Sequence, residues 1–99
     1  MKFNFIYPNE TWTIYTKSNC MFCNQIKKLL EKENFTIINC DKWLEEQETK
    51  NIFLDMIEKL IGRKYNTFPI VFYNRKFVGG FVETQKYLEK SKIIINDDF

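Results

Sequence analysis

The chain has 99 residues, 44% of them hydrophobic and 17% aromatic, with ten Phe. That is enough for one domain, residues 1–99, with an apolar core of its own, and it argues against disorder. Fifteen Lys and Arg against thirteen Asp and Glu leave a net charge of +2 without a basic stripe, which speaks against a nucleic-acid partner.

The opening MKFNFIYPNE breaks its apolar run at Pro8 and offers no small-residue cleavage site, so no signal peptide is expected. Nor does any apolar stretch approach the roughly 18 residues of a membrane span. Residues 2–7 read as an edge strand or a loose extension. TWTIYT (11–16) is rich in β-branched and aromatic residues and predicts a strand. From Met21 to Glu33, Phe22, Ile26, Leu29 and Leu30 recur at helical spacing with charged residues opposite, which predicts an amphipathic helix. NFTIINC (34–40) reads as a buried strand, and a second helix is expected from Trp43 to about Ile61, with Gly62 as its C-cap. FPIVFYN (68–74) and KFVGG (76–80) predict an antiparallel hairpin, VETQKYLEKS (82–91) a third helix, and residues 92–99 a tail. The order is β-α-β-α-β-β-α: an α/β fold with a four-stranded mixed sheet flanked by three helices, the early strand–helix–strand forming a right-handed parallel crossover.

Chemistry concentrates in KSNCMFC (17–23). Cys20 falls where the first strand ends and the first helix begins. A thiol there meets unpaired backbone N–H groups and the positive end of the helix dipole, and Lys17 adds positive charge nearby; both favour the thiolate. Cys23, one turn on, lies on the same side of the helix and can resolve a mixed disulfide on Cys20. A structural zinc site competes for the same pair, but it wants four ligands. The chain has no His, which leaves Cys40 as the one further soft ligand and also removes Cys–His and Ser–His–Asp catalysis. A purely structural disulfide across so short a span would constrain almost nothing. Three cysteines make a poor framework for a secreted domain and point to a reducing, cytoplasmic compartment. Cys40, closing a strand, reads chiefly as packing, with glutathionylation or dimer linkage as the alternative. The absence of Ala and thirteen Lys against two Arg read as an AT-rich genome such as that of a large virus or a parasite; the compartment would then be host cytoplasm.

Three separated stretches, in order, resemble the motifs of the glutaredoxins, the glutathione-dependent branch of the thioredoxin fold. KSNCMFC resembles Lys-x-x-Cys-Pro-Tyr-Cys, NTFPIVF (66–72) resembles the Thr-Val-Pro-x-Val-Phe segment, and VGGFVE (78–83) resembles the Gly-Gly turn that opens the last helix. The likeness spans about residues 11–91, leaving 1–10 as an extension. GRKYNTFP adds a weaker likeness to the glutaredoxins that serve ribonucleotide reductase.

The resemblance implies a thioredoxin-like fold and a monomeric glutathione-disulfide oxidoreductase with Cys20 and Cys23 catalytic. It also implies a cis bond before Pro69, which would turn the Phe68 backbone N–H and C=O toward an extended substrate. A glutathione site would then include Lys17, Phe22, Thr67, Phe68, Pro69, Gly80, Val82 and Glu83. Its glycine carboxylate would lie near Lys17, and its γ-glutamyl end at the Val82 and Glu83 amides, with Glu83 facing the ammonium. Arg63 and Lys64 are further candidates for the glycine end. Partners would be glutathione and disulfide-bearing or glutathionylated proteins, ribonucleotide reductase among them, with no resident cofactor. Met21 and Phe22 depart from the family's Pro and Tyr, and Val82 from a polar residue. Since family sites lacking that proline more often hold an iron–sulfur cluster between two subunits, a 2Fe–2S carrier or sensor is the alternative.

Overall fold

The computed structural model describes residues 4–96, with side chains through residue 90. Strands β1 (Trp12–Thr16), β2 (Phe35–Asn39), β3 (Ile70–Tyr73) and β4 (Lys76–Gly79) form one sheet in the order β2-β1-β3-β4. β1 runs parallel to β2 and antiparallel to β3, and β3 is antiparallel to β4. Helix α1 (Met21–Leu29) follows β1, α2 (Asp41–Glu45) and α3 (Gln47–Ile61) follow β2, and α4 (Phe81–Asn96) follows β4. This is the thioredoxin-like arrangement expected, with one helix more.

Alternation along the central strands sorts the core onto two faces. Trp12, Ile14 and Val71 point one way and pack with Ile26 and Leu30 of the α1 segment and with Phe81 and Leu88 of α4. Tyr15, Ile70 and Phe72 point the other way and pack with Phe53 and Ile57 of α3. All five residues of β1 are buried, as a strand covered on both faces requires.

Four expectations need correction. The helix foreseen over 43–61 breaks at Glu46, which is extended at φ −113° and ψ 141°. The break orphans the Trp43 carbonyl, and the Thr49 hydroxyl donates to it at 2.7 Å. β2 is an edge strand and is not buried: of its five residues only Ile38 is fully covered. α1 ends at Leu29, because the next turn closes through i→i+3 bonds, Glu31 N–H to the Lys28 carbonyl and Glu33 N–H to the Leu30 carbonyl. The tail read over 92–99 is helical to Asn96, as α4 runs on; residues 97–99 lie outside the described residues.

Residues 4–10 add no strand. Phe5 instead stacks on Tyr15 (5.8 Å) and Trp43 (5.9 Å), and the Tyr15 hydroxyl donates to the Ile6 carbonyl at 2.6 Å. The hairpin turns on Asn74 and Arg75, both at positive φ (51° and 67°), the backbone that a two-residue β-turn needs. Gly62 caps α3 in the left-handed region at φ 91°.

Phe53 is the hub of the face carrying α3. It is fully buried and its ring meets Phe5, Tyr15, Trp43 and Phe68. Phe53→Ala should lower unfolding free energy by about 3–5 kcal/mol in urea titration, the usual cost of an emptied aromatic site. A loss under about 1 kcal/mol would mean that the site collapses around the gap.

Candidate active site

Pairing register gathers the site at one end of the sheet. Tyr15 lies opposite Ile70, so the chain leaving β1 passes alongside Phe68 and Pro69. Thr16 lies opposite Asn39 in the parallel pair, so Cys40 and Asp41 come up beside Lys17 and Ser18. Val71 lies opposite Gly79, with a bulge at Val71/Phe72, which brings the Gly79–Gly80 turn to the other flank of the Pro69 segment.

Cys20 is the N-cap of α1, with extended backbone (φ −123°, ψ 105°), and its Sγ accepts the Cys23 amide at 3.2 Å. The two are joined as a disulfide, with Cα atoms 5.2 Å apart. Their exposures differ: Cys23 is 1% exposed, whereas Cys20 is only partly covered. A reagent from solvent therefore meets Cys20 first. Cys20 Sγ also lies 3.8 Å from the Phe68 carbonyl oxygen. The Phe68–Pro69 peptide is cis. Phe68 stacks its ring on Phe53, and Lys17 Nζ stands 5.5 Å from the Phe68 ring centroid on an exposed side chain.

Across the site Phe22 is 46% exposed and its ring lies 5.8 Å from that of Phe81, linking the starts of α1 and α4. Met21 and Val82 are 65% and 50% exposed, so the rim beside Cys20 is apolar. The first-turn amides of α4 have no intrahelical acceptor, and Gly80 has no side chain to supply one. Glu83 turns back so that its Oε1 accepts the Gly80 amide at 2.8 Å, half of a capping box. One carboxylate oxygen expected to face a ligand ammonium is thus engaged within the turn. Gly79 sits at φ 138°, where a Cβ would stand 2.5 Å from Glu83 Cβ. Thr67 is exposed and Pro69 buried. Arg63 lies over the rings of Tyr65 (5.4 Å) and Phe77 (5.8 Å), and Lys64 lines a separate hollow with Tyr65 and Asn66.

Two residues that the sequence reading passed over belong here. Ser18 and Asp41 face each other across the join of β1 and β2, joined by two hydrogen bonds. The Ser18 hydroxyl, then its amide, hold the Asp41 carboxyl below the usual carboxylate range. Both line a cleft of about 540 Å³ with Lys17, Asn19, Lys50 and Phe68. The parallel strand pair, had its register been assigned, would have placed the residue after Cys40 beside the loop before Cys20.

Cys40 is fully buried, its Sγ 3.6 Å from the Ile38 carbonyl. Burial first, then the Asp41 carboxylate, push its thiol from 9.0 up to about 12. At neutral pH it is an inert thiol. Because its folded value lies above its unfolded one, the unfolded chain ionises first, and stability drains away as pH rises from about 9 toward 12. Cys40→Val should remove that component: the wild-type unfolding constant should climb against the variant's by up to about tenfold per pH unit in this window. Parallel denaturation curves for the two proteins at every pH would refute it.

A family model described as Glutaredoxin matches residues 12–78. Mouse mitochondrial glutaredoxin-2 is 28% identical over 86 residues, 87% of this chain and 53% of the mouse protein. The chain thus spans about half the length of the curated relatives it matches. Among solved structures, glutaredoxin 1 from Francisella tularensis, complexed with cacodylate, superimposes with a TM-score of 0.69 at 23% identity, covering 87% of this chain and 96% of that one. A buckwheat glutaredoxin–glutathione complex gives a TM-score of 0.63 at 20% identity, covering 84% of this chain and 72% of that one. At these identities the two structures speak for the fold.

Proposed function

The chain belongs to the glutaredoxin family, and on that footing we propose that it is a glutathione-dependent thiol–disulfide oxidoreductase acting through Cys20 and Cys23. The observation that carries this reading is the placement of Cys20 as a half-open helix N-cap against the Phe68 carbonyl, with Cys23 buried one turn behind it.

In the reduced protein, the N-terminal amides of α1 and the charge of Lys17 favour the Cys20 thiolate. The thiolate attacks one sulfur of a substrate disulfide; that bond breaks, and the departing thiolate takes a proton from solvent. The mixed disulfide on Cys20 then resolves by one of two routes. Cys23, as thiolate, attacks Cys20 Sγ, releases the second substrate thiol and leaves the Cys20–Cys23 disulfide. Alternatively, where the group held on Cys20 is glutathione, a second glutathione thiolate attacks that glutathione's sulfur; the bond to Cys20 breaks, oxidised glutathione leaves and the Cys20 thiolate is regenerated. Two glutathione molecules reduce the internal disulfide and leave as oxidised glutathione, so two electrons pass to each substrate disulfide. The protein needs no metal for any of these steps.

Glutathione, the ligand of the buckwheat protein, would lie with its cysteine along the Phe68 backbone, its glycine carboxylate toward Lys17 and its γ-glutamyl carboxylate at the Val82 and Glu83 amides. Phe22, Thr67, Pro69 and Gly80 would form the walls. Substrates on this reading are glutathionylated and disulfide-bonded proteins, ribonucleotide reductase among them.

The two cysteines should separate by substrate. Cys20→Ser should lose about a hundredfold or more on every disulfide, since no nucleophile remains. Cys23→Ser should keep activity within about threefold on a glutathionylated peptide and lose about tenfold or more on an intramolecular protein disulfide, which needs a second thiol for rapid release. A Cys23→Ser protein inactive on the glutathionylated peptide would point to a dithiol donor that does not use glutathione.

A further inference from the structure

Residues 17–19 deliver Lys17 and Cys20 to the site without a strand or helix of their own, and Asn19 sits at φ 56° in the left-handed region. Such a loop needs an external tether. Its attachment is Ser18, whose amide donates to Asp41 Oδ1 at 2.8 Å and whose hydroxyl donates to Asp41 Oδ2. The carboxylate is itself anchored from behind. The Asp41 amide donates to Asn39 Oδ1 at 3.0 Å, and the Cys40 amide donates to the Thr16 carbonyl at 2.8 Å. One acceptor therefore grips the loop at backbone and side chain together, two residues before Cys20, through hydrogen bonds strengthened by its charge.

We propose that Asp41 is a positioning residue for the redox centre: by holding Ser18 at both its amide and its hydroxyl, it sets the path of residues 17–19 and so the placement of Lys17 and Cys20. The inference deepens the dithiol reading and rests on it. A rival explanation is that Asp41 serves only α2, as an acidic group in its first turn. The two differ at Ser18, which contributes nothing to the charge at that helix start.

The test compares wild type, Asp41→Ala, Ser18→Ala, Ser18→Thr and the Ser18→Ala/Asp41→Ala double variant as reduced proteins. Three quantities are read: the iodoacetamide rate at Cys20 by peptide mapping, kcat and KM on a glutathionylated peptide, and Tm. Asp41→Ala should slow Cys20 alkylation and lower kcat/KM by about five- to tenfold, and Ser18→Ala by about two- to threefold. Ser18→Thr should recover most of the Ser18→Ala loss, and the double variant should be no slower than Asp41→Ala alone. The sign is informative, because merely deleting a negative charge would favour the thiolate and speed alkylation. Faster alkylation in Asp41→Ala, wild-type rates in both single variants, or losses that multiply in the double variant would overturn the proposal. Should Asp41→Ala fail to fold, Ser18→Ala against Ser18→Thr decides it. A wild type inactive with glutathione would sink the glutathione-dependent reading, while the alkylation rates would still judge Asp41.

Discussion

At 3.2 Å from the Cys23 amide, Cys20 Sγ stands where a serine or aspartate oxygen usually caps a helix. A sulfur in that place is useful only if the chain delivers it against another strand, and delivery is fixed by how β1 pairs with its two neighbours. The Tyr15–Ile70 pair brings it to the Phe68 carbonyl, and the Thr16–Asn39 pair supplies the Asp41 side of the loop. A slip of one residue in β1 would turn Trp12 and Ile14 onto the opposite face and carry Cys20 away from Phe68. The two apolar clusters, one on each side of the sheet, therefore protect the site as much as the fold.

Burial assigns the three thiols different parts. Cys20 is open to reagents, Cys23 is sealed behind it, and Cys40 is locked in the core beside Tyr15 as a neutral thiol. Exposure thus narrows the first encounter to one sulfur of three, while geometry keeps the second within a helical turn.

Local signals carried the parts of the fold that depend on neighbours in sequence. The strand–CxxC–helix junction, the hairpin across Asn74 and Arg75, and the Gly62 cap each announce themselves through residue type. What stayed hidden depends on partners far along the chain. Glu46 breaks a helix with neither Gly nor Pro, and the Thr49 hydroxyl that offsets the break looks like any mid-helix threonine. NFTIINC reads as buried because it is apolar, yet its place at the sheet edge leaves Ile37 exposed. Phe5 reads as part of an edge strand or a loose extension, and it packs, partly buried, against the aromatic core. Ser18 and Asp41 carry no motif of their own, and only the parallel register reveals that they meet.

Gly79 and Gly80 look equivalent on paper and are under unequal constraint. At Gly80 a side-chain carbon would meet its neighbours at 3.4 Å or more, and the backbone there is not left-handed. At Gly79 the backbone conformation and the crowding from Glu83 forbid the same change independently. Relief of one obstacle would leave the other standing, so no single compensating replacement elsewhere opens the position. A side chain at Gly79 is therefore refused by the fold itself, whereas at Gly80 the fold has room for one and only its place in the wall of the proposed glutathione site stands against it.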